Sequence, residues 1–482
     1  MTTDFNRSRT SRLAPTLALL TLSTLSGCAD FSGITTQSTL LQAPQLGLAA
    51  PATNTSATLD TQWWRAFDDD TLNQLEAQAL QASPSLKLAQ ARLTAAQAAT
   101  RSTDALSGPQ LSAQANLTHQ RYTANGAVPP PLAGSEKDSG TVQLAASWEL
   151  DFFGKNQAAL QAALGTERAA QADAQAARVW LSAQVAQTYL AWVGLNEQRA
   201  VAHQVLTQRE QTLALVQARH DAGLDTPLTL RQTQGSLPEA RLQLARIDEQ
   251  LALTHNALAA LVNEQNKPLA LIYNAQTAIK KIALPSTLST NLLAQRADVA
   301  AARWRVQAAD SGISHARAQF YPDLNLTAFA GFSSIGLDQL LSAGSQQWGG
   351  GPALSLPLFD SGRLRANLGR QTAERDAAVE SYNTAVVNAV HDALDQLSSG
   401  QAIAAQQAQQ AQTAQAAEDA LAVAQQRQLA GLFNALQVLS AQTAVLEQRR
   451  LGAELNTRAW QNQVALARAL GGGFTLTEAF PP

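Results

Sequence analysis

The chain has 482 residues, and its formal net charge is −3 at pH 7. Because basic residues are not in excess, the composition gives no electrostatic basis for nucleic-acid binding. A single hydrophobic core stops growing near roughly 250 residues, so this length indicates either several domains or one elongated, repeated architecture. Only 15% of the residues are charged, and alanine and glutamine are abundant, which favours long helices.

The N-terminus has the layout of a secretory signal. Three arginines precede an apolar run from Leu13 to Leu25, two small residues and Cys28, the only cysteine. The run is roughly half as long as a transmembrane helix, so we predict that residues 1–27 are a signal peptide that is removed. The alternative for Cys28 is a buried structural cysteine. An intrachain disulfide is excluded because the sequence has no second cysteine.

Residues 25–28, Leu-Ser-Gly-Cys, resemble a bacterial lipobox. The resemblance implies that Cys28 is lipidated and becomes the first residue of the mature chain. In lipoproteins of this kind, an aspartate directly after the cysteine often signals retention in the inner membrane. Here that position is Ala29, which favours the outer membrane. More than one acyl chain gives stable anchoring without a transmembrane helix. We therefore expect residues 28–62 to be a lipidated N-terminal linker.

The remaining chain consists of two similar halves. The stretch 218–234 recurs at 426–442, which is 208 residues later (426 minus 218). Upstream of it, Leu93 and its neighbours recur around Val306 at an offset of 213 (306 minus 93). Such a constant register indicates an internal repeat. The predicted boundaries are 63–264 for the first structural repeat, 265–290 for an equatorial linker, 291–470 for the second repeat and 471–482 for a C-terminal tail.

Each half is predicted to contain a long helical hairpin. Residues 155–222 contain no proline, and they and their counterpart 363–430 carry apolar residues spaced by three or four. Gly223 and Gly431 then fall where a helix C-terminus favours a left-handed residue. The second helices lie near 226–264 and 434–470, which completes hairpins at 155–264 and 362–470.

A glutamine-rich run at residues 400–428 permits two interpretations. Low complexity of this kind is typical of disordered segments. Alanine and glutamine are also good helix formers, and the equivalent segment of the first half has a helical pattern. We therefore predict a helix here.

Two short segments with a different period precede each long helix. From Thr141 to Phe153, apolar and polar residues alternate, which is typical of a β-strand with two unlike faces. Each segment has about the length that crosses a bilayer as a tilted strand. Loops rich in proline, glycine and serine separate them. The predicted strands are 110–122, 140–153, 323–332 and 351–360.

Four membrane strands do not close a barrel, and an open edge in a membrane leaves backbone groups without hydrogen bonds. Two copies would give eight strands around a filled interior, whereas three copies would give twelve strands and space for a lumen. A homotrimer is therefore the smallest assembly that forms a duct. The predicted fold is mainly α, with four membrane β-strands per chain.

Catalysis has little support in the sequence. The six histidines are scattered, and no zinc-protease, phosphate-loop or nucleophile-elbow motif is present. The acidic run Asp68-Asp69-Asp70 precedes a helical pattern and favours helix capping over metal binding. Met1 is the only methionine, so thioether ligands for copper are absent from the mature chain. We predict no enzyme activity, no metal site and no cofactor other than the lipid on Cys28.

The order of these features resembles the TolC-like outer membrane factors, and most closely the lipoprotein branch that serves RND-type efflux pumps. The lipobox, "WWRAFDDDTLNQL" (63–75), "LPLFDSGRLRA" (356–366) and the two R-x-x-x-G-L turns carry the resemblance. It implies a trimer with a twelve-stranded outer-membrane barrel and a periplasmic α-helical barrel. Substrates would pass from an inner-membrane pump, through a periplasmic adaptor (a membrane fusion protein), into this conduit.

In that family the hairpin turns at the periplasmic end dock onto the adaptor. An ordinary capped helical hairpin is the alternative, and for the glycines both interpretations hold. Exposed arginine and leucine at a hairpin tip favour docking. The matching positions here are Arg219, Gly223, Leu224, Arg427, Gly431 and Leu432.

The family often carries an aspartate in a V-L-D-A-Q pattern after the second turn, where three copies form an acidic constriction. Here Ser440 replaces that aspartate, and Gln437, one helical turn earlier, is also neutral. We expect a constriction set by neutral hydrogen bonding and leucine packing, with Arg427 nearby, rather than an acidic ring. The alternative is that Gln437 and Ser440 only line water.

Two other functions remain open at this point. The chain could be the outlet of an ABC-type or type I secretion system, although the lipobox favours efflux. A lipid-anchored coiled-coil scaffold without a pore would explain the helices and Cys28, but not the period-two segments. The residues define neither the exported compound nor the identity of the pump.

Overall fold

A computed structural model of the protein describes residues 30–41, 59–264, 269–273, 279–280, 282 and 296–474. The predicted signal peptide and Cys28 lie outside the described residues, as do much of the predicted linker and the end of the predicted tail. The chain forms two compact units, and each takes segments from both predicted halves. Of the described residues, unit 1 comprises those within 30–40, 93–169 and 302–382, and unit 2 comprises those within 41–92, 170–301 and 383–474.

The described helices are α1 (Asp70–Ala82), α2 (Pro84–Ala105), α3 (Lys155–Asp221), α4 (Pro227–Leu261), α5 (Ala297–Ala318), α6 (Arg363–Leu429) and α7 (Ala435–Ala469). They recur in pairs of equal length: α3 and α6 have 67 residues each, and α4 and α7 have 35 each. Both pairs keep the offset of 208 that the sequence predicts (363 minus 155, 435 minus 227). None of these helices combines the length and apolarity needed to cross a membrane.

The helix ends differ from the predicted bounds by a few residues. α4 ends at Leu261 rather than near 264, because Asn263 adopts a left-handed backbone conformation with φ +58°. The N–H of Glu264 then donates back to the carbonyl of Ala259 at 2.9 Å. α6 continues through the glutamine-rich run, so the disordered interpretation of that run is wrong.

Unit 1 contains the β-sheet. The described strands are β1 (Gln110–Arg121), β2 (Glu136–Leu150), β3 (Asp323–Ile335) and β4 (Gln346–Ser355). The sheet order is β1-β2-β3-β4, and each neighbouring pair is antiparallel. In the register, Ala113 pairs with Leu144, Leu144 with Ala330, and Ala330 with Trp348. Within the described chain, β1 and β4 are therefore each paired along one side only.

The predicted range for β2, 140–153, is shifted. β2 begins at Glu136, which pairs with Arg121, so part of the predicted loop belongs to the ladder. It ends at Leu150 because Asp151 leaves the sheet, where its carboxylate accepts the N–H of Gln157 at 2.8 Å. Asp151 thus stabilises the start of α3 instead of extending the strand.

The predicted ranges for the second pair of strands also require correction. β3 continues to Ile335 rather than 332, and β4 lies five residues earlier than the predicted 351–360 (351 minus 346). The sequence suggests that the glycine-rich run is a loop. In the structure this run belongs to β4 and pairs with β3, with Gly350 opposite Ala328. β4 stops at Ser355, which pairs with Asp323, the first residue of β3. Asp360 then accepts the N–H of Leu364 at the start of α6.

The aromatic stretch before α1 forms part of the core of unit 2. Trp63, Trp64 and Phe67 are buried, and the rings of the two tryptophans meet edge to face at 5.8 Å. Asp69 accepts the N–H of Leu72 at 2.9 Å, so the acidic run starts α1 as predicted. The hydroxyl of Tyr189 on α3 donates to the other carboxylate oxygen of Asp69 at 2.8 Å. This segment is therefore fixed to α3 by both packing and hydrogen bonding.

Candidate functional site

The first hairpin tip, residues 219–228, closes α3 with a glycine in the left-handed conformation. Gly223 has φ +71°, and the N–H of Leu224 donates to the carbonyl of Arg219 at 2.8 Å. A Cβ added at Gly223 would meet no atom within 4 Å. Backbone geometry, not crowding, therefore requires glycine here.

An ion pair spans the first tip. Arg219 donates from Nε to Asp225 Oδ2 at 2.8 Å and from Nη2 to Oδ1 at 3.3 Å. This two-point geometry is the strong form of an arginine–carboxylate contact. Thr226 then caps α4 by accepting the N–H of Thr229 at 3.2 Å.

The second tip, residues 427–437, has the same backbone and different side-chain chemistry. Gly431 has φ +72°, and the N–H of Leu432 donates to the carbonyl of Arg427 at 2.8 Å. The guanidinium of Arg427 lies 5.1 Å from the ring centre of Phe433, which is a cation–π arrangement. The two halves thus share the geometry of this turn and differ in the partner of its arginine.

Both tips expose large apolar side chains. Leu224 is 67% exposed and Leu432 is 73% exposed, and the neighbouring Leu228 and Leu429 are exposed as well. Single exposed leucines are ordinary, but several at one helix end form a surface suited to another protein. The structure brings Arg219 with Leu224, and Arg427 with Leu432, into one turn each. Sequence reasoning missed Asp225 and Phe433, although comparing the two halves at the 208 offset marks the position where they differ.

The residues predicted to form a constriction lie at the start of α7. Gln437 forms a capping box with Asn434: the N–H of Asn434 donates to Gln437 Oε1 at 2.8 Å, and the N–H of Gln437 donates to Asn434 Oδ1 at 3.0 Å. The side chain of Gln437 therefore stabilises the helix start. Ser440 is exposed one turn further along. Their role in a constriction stays a prediction.

A buried glutamine beside Ser440 escaped sequence reasoning. Gln208 on α3 is 2% exposed, and its Nε2 donates to the carbonyl of Leu439 at 2.9 Å and to Thr443 Oγ1 at 3.0 Å. It joins α3 to α7 at the level of Ser440. A glutamine inside an amphipathic pattern looks like a surface residue, so the sequence carried no signal for it.

Among the described residues, no group of three or more His, Cys, Asp or Glu side chains is arranged to hold a metal ion. Two histidines instead lie in structural contacts: His255 with the carbonyl of Leu269 and His315 with the carbonyl of Lys155, each at 2.8 Å. The candidate site consists of the two hairpin tips, each of which exposes a large apolar side chain.

Residues 75–264 and 288–472 match the family described as outer membrane efflux protein. The chain belongs to the outer membrane efflux protein family. It is 34% identical over 462 residues to the multidrug resistance outer membrane protein MdtQ of Escherichia coli O6:H1, which covers 93% of this chain and 96% of that protein.

Solved structures agree with this membership. The outer membrane protein VceC of Vibrio cholerae is 36% identical with a TM-score of 0.76, over 86% of this chain and 99% of that one. The MtrE outer membrane channel of Neisseria gonorrhoeae, solved in an open state, is 26% identical with a TM-score of 0.78, over 91% of this chain and 99% of that one.

Membership confirms the resemblance to the TolC-like factors and the mainly helical fold with four strands. This outer membrane efflux protein is a channel component located in the outer membrane. The lipid on Cys28 and the assignment to the lipoprotein branch stay predictions, because Cys28 lies outside the described residues.

Proposed function

We propose that this protein is the trimeric outer-membrane conduit of a tripartite efflux pump. It receives small molecules from an inner-membrane RND-type pump through a periplasmic adaptor and releases them outside the cell. A conduit of this kind needs no catalytic residue. Its substrate range is a property of the pump.

The observation that carries the proposal is the sheet with two one-sided outer strands. Within the described chain, β1 and β4 pair along one side only, and all residues of β1 are exposed. Unpaired strand edges are untenable in a bilayer, since each backbone group without a partner costs several kcal/mol. Joining β4 of one copy to β1 of the next closes a barrel, and three copies give twelve strands and a lumen.

The test is the native mass of the protein extracted from outer membranes in detergent, resolved well enough to count subunits. A trimer is the expected result. A monomer or dimer would contradict the conduit and favour the lipid-anchored scaffold. Release of the protein from the membrane by Cys28→Ala, which removes the anchor, would support the scaffold further.

We infer that the two hairpin tips dock onto the adaptor through Arg219, Gly223, Leu224, Arg427, Gly431 and Leu432. The support is the exposed leucine that each tip presents from a backbone fixed by its glycine. Leu224→Asp combined with Leu432→Asp should abolish adaptor binding in a pull-down while the native mass stays that of the trimer. Leu253→Asp is the matched control, because Leu253 is 61% exposed on α4 and lies outside the tips. Unchanged binding by the double variant would refute the assignment.

The same pull-down identifies the pump. Recovery of an ABC-type transporter or a type I secretion component with the adaptor, in place of an RND-type pump, would assign the conduit to that other export system.

We also propose that the constriction near Ser440 is neutral. Neither Ser440 nor Gln437 carries a carboxylate. Ser440 is exposed, and the side chain of Gln437 is hydrogen-bonded to Asn434. Ser440→Asp would introduce three carboxylates in a trimer and should make channel current sensitive to divalent cations, whereas Ser440→Asn should not. Strong divalent block of the parent channel that Ser440→Ala abolishes would contradict the proposal.

A further inference from the structure

Residues 30–40, here named the N-terminal strap, lie along α6 in unit 1. Phe31 meets the ring of Phe320 edge to face at 5.1 Å, and Ile34 packs beside Ile313 and Leu368. The strap therefore has its own apolar anchorage, independent of any lipid.

One arginine near the start of α6 holds the beginning of the strap. Arg365 donates from Nη1 to the carbonyl of Asp30 and from Nη2 to the carbonyl of Ser32, both at 2.8 Å. The same guanidinium forms an ion pair with the Asp30 carboxylate at 2.5 Å. Hydrogen bonds from a charged donor to two carbonyls are stronger than ordinary ones.

A second pair of charged residues holds the strap further along. The carboxylate of Asp376 accepts the N–H groups of Gln37 and Ser38 at 2.9 and 3.1 Å. Arg375 donates to the carbonyl of Ser38 at 2.6 Å. Apart from the Asp30 carboxylate, α6 binds main-chain atoms of the strap at both points, so the Ser32 side chain takes no part in the bonds to α6.

The spacing of the two contact points follows from helix geometry. Arg365 and Asp376 are 11 residues apart, which is about three helical turns and about 16 Å along α6. The seven residue-to-residue steps from Asp30 to Gln37 (37 minus 30) cover that distance in the same direction as the helix. The strap therefore advances by about 2.4 Å per residue, within the 3.3–3.6 Å limit of an extended chain.

We propose that Arg365, Arg375 and Asp376, here named the strap clamp, position the lipid anchor of the mature chain. Cys28 is two residues before Asp30 in the sequence, and two extended residues span at most about 7 Å. Arg365 is in the first turn of α6, which begins eight residues after β4 ends (363 minus 355). The anchor is thereby held beside the strand end of α6 rather than on a free tether. This inference rests on the proposed lipid at Cys28.

The test uses the full-length lipidated protein in lipid nanodiscs. Acylation of Cys28 removes its thiol, so Ser32→Cys supplies a single site for a spin label. Arg365→Ala/Arg375→Ala should make the label mobile and spread its depth in the bilayer, measured by accessibility to oxygen and to a water-soluble nickel chelate. In the unlabelled protein, Asp376→Ala should speed hydrogen exchange of the Gln37 and Ser38 amides by at least about tenfold, because bonds to a charged acceptor are lost.

Arg370→Ala is the matched control, since Arg370 lies on the same helix and contacts Glu374 and Asn367. It should leave label mobility, label depth and amide exchange at parent values, and all variants should keep the parent native mass. If the label stays immobile in Arg365→Ala/Arg375→Ala, the clamp does not hold the strap and the proposal is wrong. The same conclusion follows if the label is as mobile in Arg370→Ala as in the double variant. If mass spectrometry finds no lipid on the N-terminal peptide of the parent, the proposal is wrong because there is no lipid anchor to position.

Discussion

Arg219 and Asp225 are joined by two hydrogen bonds across the first hairpin tip, at 2.8 and 3.3 Å. At the equivalent place in the second half (225 plus 208), Phe433 occupies the position of Asp225, and Arg427 lies 5.1 Å from its ring centre. The arginine of the first tip is therefore neutralised by a carboxylate, whereas that of the second tip keeps a net positive charge. The two tips share a backbone and present different electrostatic surfaces.

This difference predicts that the arginines are not equivalent for stability. Asp225 is only 15% exposed, so Arg219→Ala leaves a largely buried carboxylate without its partner, and the unfolding midpoint should fall. Arg427→Ala should lower the midpoint less, because the partner it leaves behind is the ring of Phe433 and not a carboxylate. Thermal unfolding of Arg219→Ala, Asp225→Ala and the double variant at low and high salt measures the coupling. The coupling should shrink with salt; a coupling near zero at low salt would contradict the ion pair.

The repeat made much of the helical fold predictable. Two long helices and their partners recur at a fixed offset, and glycine with an arginine four residues earlier marks each turn, so α3, α4, α6 and α7 were located to within a few residues. The strand ends were less predictable. β2 ends where Asp151 binds the first turn of α3, and β4 ends where its partner β3 begins, at the pair Ser355 and Asp323. Both ends are set by three-dimensional geometry rather than by the local pattern.

The candidate site was predicted in its backbone and only partly in its side chains. The glycines follow from local turn chemistry, whereas the choice of Asp225 or Phe433 as arginine partner depends on which side chain the turn brings within reach. Gln208 was missed because its burial depends on α7, more than two hundred residues away in sequence (439 minus 208). Long-range pairing of this kind leaves no mark in a local pattern.

The tip glycines give a second prediction. Gly223 and Gly431 have φ +71° and +72°, and a Cβ at either would meet no atom within 4 Å. Gly223→Ala and Gly431→Ala should each destabilise the hairpin by about 1–2 kcal/mol, the cost of a left-handed alanine, with no added steric cost. Gly235→Ala is the control, because Gly235 lies inside α4 and also has open space around it. It should stabilise by about 0.8–1 kcal/mol. Denaturant unfolding in detergent measures the free energy of unfolding of all three variants. If Gly235→Ala lowered it as much as the tip variants do, the left-handed φ would not be the cause of the loss at the tips.

A buried carboxyl group in unit 2 should make stability depend on pH. Glu76 on α1 is fully buried, and neither carboxyl oxygen has a hydrogen-bond partner among the residues that the structure describes. Burial raises the pKa of Glu76 from 4.5 to about 9, although the nearby Ser182 hydroxyl and the charge of Arg178 act in the opposite direction. The side chain is therefore protonated in the folded protein at neutral pH.

The sign of the effect follows from proton linkage. The folded state retains the Glu76 proton up to a pH of about 9, whereas the unfolded chain releases it above its ordinary pKa of 4.5. Stability is therefore fully present below pH 4.5 and is lost as the pH rises, by about 3 kcal/mol between pH 4.5 and 7. Glu76→Gln, which stays neutral, should match the parent near pH 4.5 and exceed it increasingly toward pH 8. Unfolding midpoints of both proteins across this range give the difference, in which the other titrating groups cancel. Parallel pH profiles for parent and variant would mean that Glu76 is ionised in the folded protein and has a partner.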